Sequence, residues 1–179
     1  MEILFDALDN RDPDVRWVVI LLLARLTETR SAVMQLTTSL FASGTATQRR
    51  MVIYYLKELK RQTEAVRHTL LSALNDPDPT VRVAAVISLK EQDIDSDGKT
   101  ILLDLLMRDP DVRVQHAAAI TLASLGSPSK EFLAALDHAT KTAQGPLKKA
   151  AVAAQRILQE KREVRPIRRL TSPVRRTSG

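Results

Sequence analysis

The hexamer RDPDVR stands at Arg11–Arg16 and again, letter for letter, at Arg108–Arg113, with a looser copy, NDPDPTVR, between them at Asn75–Arg82. Three near-copies of one short phrase point to an internal repeat. The gap from Arg16 to Arg82 is about twice the gap from Arg82 to Arg113. A unit of about 31–35 residues fits both if one copy is hidden in the first. Its anchor is read at Arg49, in TATQRRMVIYYLKEL, and a fifth at Lys148, in QGPLKKAAVAAQRIL. Each anchor begins an apolar helical pattern that a shorter apolar helix precedes. The spacing predicts five helix pairs, near 2–27, 31–62, 64–92, 97–125 and 129–162.

The hexamer itself reads as a helix start. Asp12, Asp78 and Asp109 suit the N-cap, where a carboxylate accepts orphan backbone N–H groups. Pro13, Pro79 and Pro110 suit the first helical position, where the missing N–H costs nothing. Asp14 and Asp111 fall where the helix dipole favours negative charge, and Val15, Val81 and Val112 open the buried stripe. Thr45 and Gln144-Gly145-Pro146 hold the same place in repeats two and five.

This pattern, D-P-D followed by Val-Arg and an Ala/Leu-rich helix, resembles HEAT repeats of the short bacterial type, also found in bilin-lyase-like proteins. The likeness covers roughly residues 2–160 and is strongest in repeats one, three and four. It implies an all-α, right-handed α-solenoid of about five helix pairs, with the second helices lining the concave side. It also implies that Arg16, Arg82 and Arg113 pair with Asp residues of neighbouring repeats in a ladder, with repeat two the weak rung.

Composition agrees with helix packing: 44% of residues are hydrophobic, yet only 3% are aromatic. The absence of cysteine excludes disulfides, thiol nucleophiles and cysteine-ligated zinc. The longest wholly apolar run, Trp17–Ala24, is too short for a membrane span, and a soluble cytoplasmic protein is expected. Charge is uneven. Residues 1–160 hold 20 basic and 20 acidic side chains, so the net +6 of the chain resides in 161–179. Two parts follow: a solenoid over 1–160 and a basic, disordered tail over 161–179. Arg162, Arg165, Arg168, Arg169, Arg175 and Arg176 make that tail an electrostatic tether for an acidic protein surface or nucleic acid. Ser172-Pro173 and Arg168-Arg169-Leu170-Thr171 resemble kinase targets, where a phosphate would cut the charge.

In a solenoid, function is written on positions the repeat leaves free. Counting from the residue before each anchor, positions four, seven and eight further on should be buried. They include Val19, Leu22 and Leu23, then Val52, Tyr55 and Leu56, and in repeat four His116, Ala119 and Ile120. Positions two and six further on should face outward, and most are apolar: Trp17 and Leu21, Arg50 and Tyr54, Val83 and Ile87, Val114 and Ala118. An aligned apolar row of this kind marks an interaction site. Lys57, Arg61 and Lys90 run beside it, so the row suits an acidic amphipathic helix or peptide. The first repeat is apolar on its outer side as well, where a terminal repeat should be polar. That edge is expected to dock on a partner or a second copy, unless the chain is a piece of a longer solenoid.

Chemistry finds little footing. Asp93, Asp95, Asp97, Gly98 and Asp104 match much of a calcium-binding EF-hand loop, though Thr100 takes the usual apolar position. The other reading is a turn between repeats in which Ser96 or Asp97 caps a helix. His68, His116 and His138 fall in different repeats without a second ligand, and no Gly-rich phosphate loop occurs. No cofactor is expected. The function read from the sequence is a non-enzymatic, protein-binding scaffold. The alternatives are a nucleic-acid-associated protein acting through the tail, or a subunit of a bilin-lyase-type enzyme.

Overall fold

The computed structural model describes residues 2–29, 32–61, 63–92, 94–125 and 128–164, and every regular element among them is a helix. In chain order these are α1 (Glu2–Ala7), α2 (Pro13–Thr29), α3 (Ala32–Ser43), α4 (Ala46–Glu58), α5 (Glu64–Ala73), α6 (Pro79–Leu89), α7 (Ser96–Arg108), α8 (Val112–Ser124), α9 (Lys130–Thr142) and α10 (Gly145–Val164). They form the five expected pairs. The second helices α2, α4, α6, α8 and α10 pack side by side, while each first helix packs mainly on its own partner. One core runs the length of the stack, from Leu8 and Ile20 through Tyr55, Leu70 and Leu89 to Leu136 and Leu158. This crowded layer of second helices is the one that the HEAT-repeat resemblance places on the concave, inner side. No helix of the described residues is long and apolar enough to cross a membrane.

The turn before each second helix explains both the start of that helix and the step of the repeat. The N–H groups of Asp12, Asp78 and Asp111 donate to the side chains of Asn10, Asp76 and Asp109, at 2.9, 2.9 and 2.8 Å. Two residues on, Asp14, Thr80 and Arg113 donate their N–H groups to Oδ1 of Asp12, Asp78 and Asp111, at 2.9, 2.7 and 2.8 Å. Each turn is thus a side-chain-closed loop followed by an N-cap. Repeat two does the same work with a capping box, in which Thr45 and Gln48 bond each other's backbone N–H.

This geometry shifts the frame of repeat four. Its N-cap is Asp111, not Asp109, and Pro110 lies before the helix. Val112, expected to open the buried stripe, is therefore exposed, and Val114 opens it instead. Arg16 and Arg82 each reach back to the carbonyl oxygens five and six residues earlier, and Arg49 to that of Gly44. In repeat four Gln115 does so, donating to the carbonyl of Asp109 at 3.0 Å. The structural anchors are therefore Arg16, Arg49, Arg82 and Gln115, evenly spaced along the chain. The second identical hexamer begins two residues short of three such steps from the first.

The ladder is corrected by the same frame. Arg49 makes a bidentate pair with Asp76, at 2.7 and 2.8 Å, so repeat two supplies a full rung where a weak one is expected. Arg82 pairs identically with Asp109, at 2.8 Å through both nitrogens. Arg113 instead bonds Asp111 of its own cap. At the position after Arg16 that matches these acids stands Ser43. Arg16 meets no carboxylate among the described residues, and its buried Nε lacks a partner.

Candidate functional site

On an inner layer of parallel helices with a constant repeat step, one surface row takes the same two positions from each helix. In the observed frame these are Trp17 and Leu21 on α2, Arg50 and Tyr54 on α4, Val83 and Ile87 on α6, His116 and Ile120 on α8, and Lys149 and Ala153 on α10. All ten are exposed or half-buried. Trp17 is 44% exposed and Ile87 41%. The structure brings Trp17 and Tyr54 together across the junction of repeats one and two, edge to face, with ring centroids 6.5 Å apart. Such a pair is rigid, apolar and still open on one side.

Two expected members of the row lie elsewhere. Val114 is 0% exposed, and Ala118 is also in the core. Counting from the hexamer placed both two residues out of frame. Val114 is the counterpart of the buried Val81, and its expected place is held by His116, which faces out and not into the core. His116 is the residue that sequence reasoning missed, and Gln115 in the anchor position was the available signal. Leu22, expected in the core, is exposed, and Ile120 is only half-buried.

Lys90 and Arg61 are exposed, and Lys57 lies 3.7 Å from Glu91 in a half-exposed ion pair. Within the row, the buried Nε of Arg50 has no hydrogen-bond partner. Beneath the row at its N-terminal end, the buried Tyr55 hydroxyl lies 2.7 Å from Thr27 Oγ1. Burial pushes the Tyr55 phenol up from its ordinary value, and the bonds to Thr27 and Thr37 pull against that. A separate cleft of about 340 Å³, floored by Leu103, Leu122, Leu125 and Phe132, opens between α7 and α9 away from the row.

The calcium-loop reading does not survive. Asp95, rather than Ser96 or Asp97, caps α7, accepting from Gly98 N–H at 2.9 Å and pairing with Arg67. Those bonds, the Gly98 N–H first, hold the Asp95 carboxyl below its ordinary value. The helix then runs through the supposed loop, and Asp104 pairs with Arg108 along it at 3.0 Å. Nine residues of helix part Asp104 from Asp95 by roughly 13 Å, too far to share an ion. Asp93 lies outside the described residues. No three His, Asp or Glu side chains converge on a metal site among the described residues. His68 and His138 are exposed. Of the tail residues, Arg165, Arg168, Arg169, Arg175 and Arg176 lie outside the described residues, and Arg162 falls within α10. Lys161, just before it, donates to the carbonyls of Ala123 and Ser124 at the end of α8.

Compared with known proteins, residues 67–156 match a family model described as HEAT repeats. Among solved structures, the fold is similar to a chain in the complex of CpcE and CpcF of phycocyanin lyase from Nostoc sp. PCC7120. The TM-score is 0.56 at 19% identity, over 89% of this chain and 65% of that one, just under two thirds of its length. It is also similar to a designed armadillo repeat protein in complex with the peptide (KR)4, with a TM-score of 0.53 at 16% identity, over 87% of this chain and 80% of that one. No curated protein matches.

Proposed function

The chain belongs to the HEAT-repeat family, and from that premise we propose that it is a non-enzymatic scaffold that holds an acidic, amphipathic segment of a protein partner along its inner row. The observation that carries this reading is the aligned row Trp17, Leu21, Tyr54, Val83 and Ile87, left open on an otherwise packed layer. Apolar side chains recurring from repeat to repeat match the anchors of an amphipathic helix or an extended peptide. Arg50 within the row and the nearby bases Lys57, Arg61 and Lys90 favour carboxylates on the incoming segment. In one solenoid of similar fold a basic peptide is bound; the bases here favour the opposite charge. The arginines from Arg162 to Arg176 then act as a tether, adding salt-sensitive attraction to an acidic partner.

Trp17 is the chain's single tryptophan, so its fluorescence reports on the row. Titration with synthetic amphipathic peptides of acidic and basic type should shift Trp17 emission for the acidic ones alone. Ile87→Glu should abolish the shift with the helical circular dichroism unchanged. An equal response from Ile87→Glu, or none from the wild type, would sink the reading. Truncation after Val164 keeps α10 whole and tests the tail. Acidic-peptide binding should persist, whereas a nucleic-acid-associated protein would lose its only activity with the tail.

A further inference from the structure

The two ends of the stack are built differently. In repeats two to five, one face of the second helix is covered by the preceding repeat. The clearest marks are Tyr55, whose hydroxyl meets Thr27, and Thr121, whose hydroxyl donates to the carbonyl of Val86 at 3.3 Å. One repeat earlier, Leu22 is the counterpart of Tyr55 and Val18 that of Met51, and two repeats before Val81 comes Val15. Tyr55, Met51 and Val81 are buried, but Val15, Val18 and Leu22 are exposed, Val18 to 62%. Position by position, the outer face of α2 matches a repeat-to-repeat contact that no other repeat covers among the described residues.

The opposite end, among the described residues, differs in charge. Ile20, Ile53, Val86 and Ala119 are buried under the following repeat, and their counterpart Val152 is 52% exposed. Around Val152 stand Lys148, Lys149 and Arg156, so that face is cationic. Apolar α2 against this face would strip water from two lysines and an arginine while offering one carboxylate, Asp14, which disfavours head-to-tail stacking. A self-complementary contact of α2 with α2 has no such cost.

Charge argues for the same arrangement. Asp14 lies four residues before Val18, and Arg25 three residues after Leu22, so they bracket the apolar stripe on one helix face. Both are exposed, and neither has an ion pair among the described residues. Two antiparallel copies of α2 about a two-fold axis bring Asp14 of each opposite Arg25 of the other, with Val15, Val18 and Leu22 between them.

We propose that the apolar edge of α2 is a homodimer interface, in which a second copy of this chain packs antiparallel on Val15, Val18 and Leu22 and is registered by two Asp14–Arg25 pairs. The contact runs beside Leu21 at the edge of the inner row and leaves Tyr54, Val83 and Ile87 free, so two grooves would be carried by one dimer.

The test is solution mass by light scattering on the full chain, with charge-swap mixing. Wild type should have twice the monomer mass of 19.9 kDa. Val18→Glu should return it to the monomer at unchanged helicity. Asp14→Arg and Arg25→Asp should each weaken the dimer at least tenfold, because each places like charges opposite one another. Mixed in equal amounts, those two variants should recover the dimer, since every pair is then opposite in sign. That recovery needs no assumption about the folding of Val18→Glu. Wild type that stays monomeric, a mass that climbs without limit as in head-to-tail arrays, or swap variants that fail to recover on mixing would each overturn the proposal. Binding of acidic peptide by monomeric Val18→Glu keeps this result separate from the fate of the inner row.

Discussion

Arg82 and Arg113 carry the same charge beside the same kind of aspartate turn, but their surroundings differ. The Arg82–Asp109 pair is nearly dry, with side chains 10% and 2% exposed. The hydrogen bonds to Asp109, more than any other cause, raise the Arg82 guanidinium above its ordinary value. Removing one partner leaves a buried charge unpaired, so Arg82→Ala should cost about 3 kcal/mol in urea unfolding. Arg113 meets Asp111 at the surface, its own side chain 60% exposed, and Arg113→Ala should cost at most about 1 kcal/mol. If both variants lose the same stability, the ladder assignment is wrong. Asp111 itself has a sharper signature. Its bonds to the Arg113 side chain, and then to the Arg113 N–H, lower the carboxyl from 3.8 to about 2. A depressed carboxyl stabilises the fold fully above its unfolded value and loses that contribution as pH falls through the folded one. Asp78 and Asp95 are lowered too and act in the same direction. Stability should therefore fall between about pH 4 and pH 2, and Asp111→Asn should flatten part of that slope in acid titrations followed by circular dichroism.

Helix α7 shows how one glycine fits a helix to its neighbours. Gly98 lies in the first turn, and its N–H closes the Asp95 cap. A Cβ there would come within 2.3 Å of Ile94 Cγ2, a methyl fixed close to the backbone of a buried side chain. Alanine is the better helix former by about 1 kcal/mol. Overpacking costs about 1–3 kcal/mol and should win. Gly98→Ala is thus expected to destabilise the protein by about 1 kcal/mol. A stabilised variant in thermal melts would mean that Ile94 yields easily. The helix starts were legible in the sequence because capping is local: Asp12, Asp78 and Thr45 announce themselves within three residues. The frame of repeat four was not. Its anchor is glutamine rather than arginine, while a perfect copy of the hexamer stands two residues away. What the fold repeats is the turn built on Asn10, Asp76 and Asp109 and the carbonyls it presents, and letter identity tracks that turn only loosely.

Five pairs in a row could be counted from spacing, and most of the inner row could be placed by periodicity. The partnership of Arg49 with Asp76 could not, because the acid lies in the turn of the next repeat, with no local signal. The two rungs also have a consequence for how the molecule comes apart. They bolt repeat two to three and three to four, and α10 packs closely on α8 at the last junction, whereas the first relies on neutral contacts such as Thr27–Tyr55. A stack coupled only to nearest neighbours opens where its links are weakest. Amide hydrogen exchange should be slowest in α6 and α8 and accelerate toward α2 and α1, and a uniform profile would contradict this. The protein would then unzip from its first repeat toward a durable remainder, so that mild heat erodes it gradually and a single melting temperature describes only that remainder.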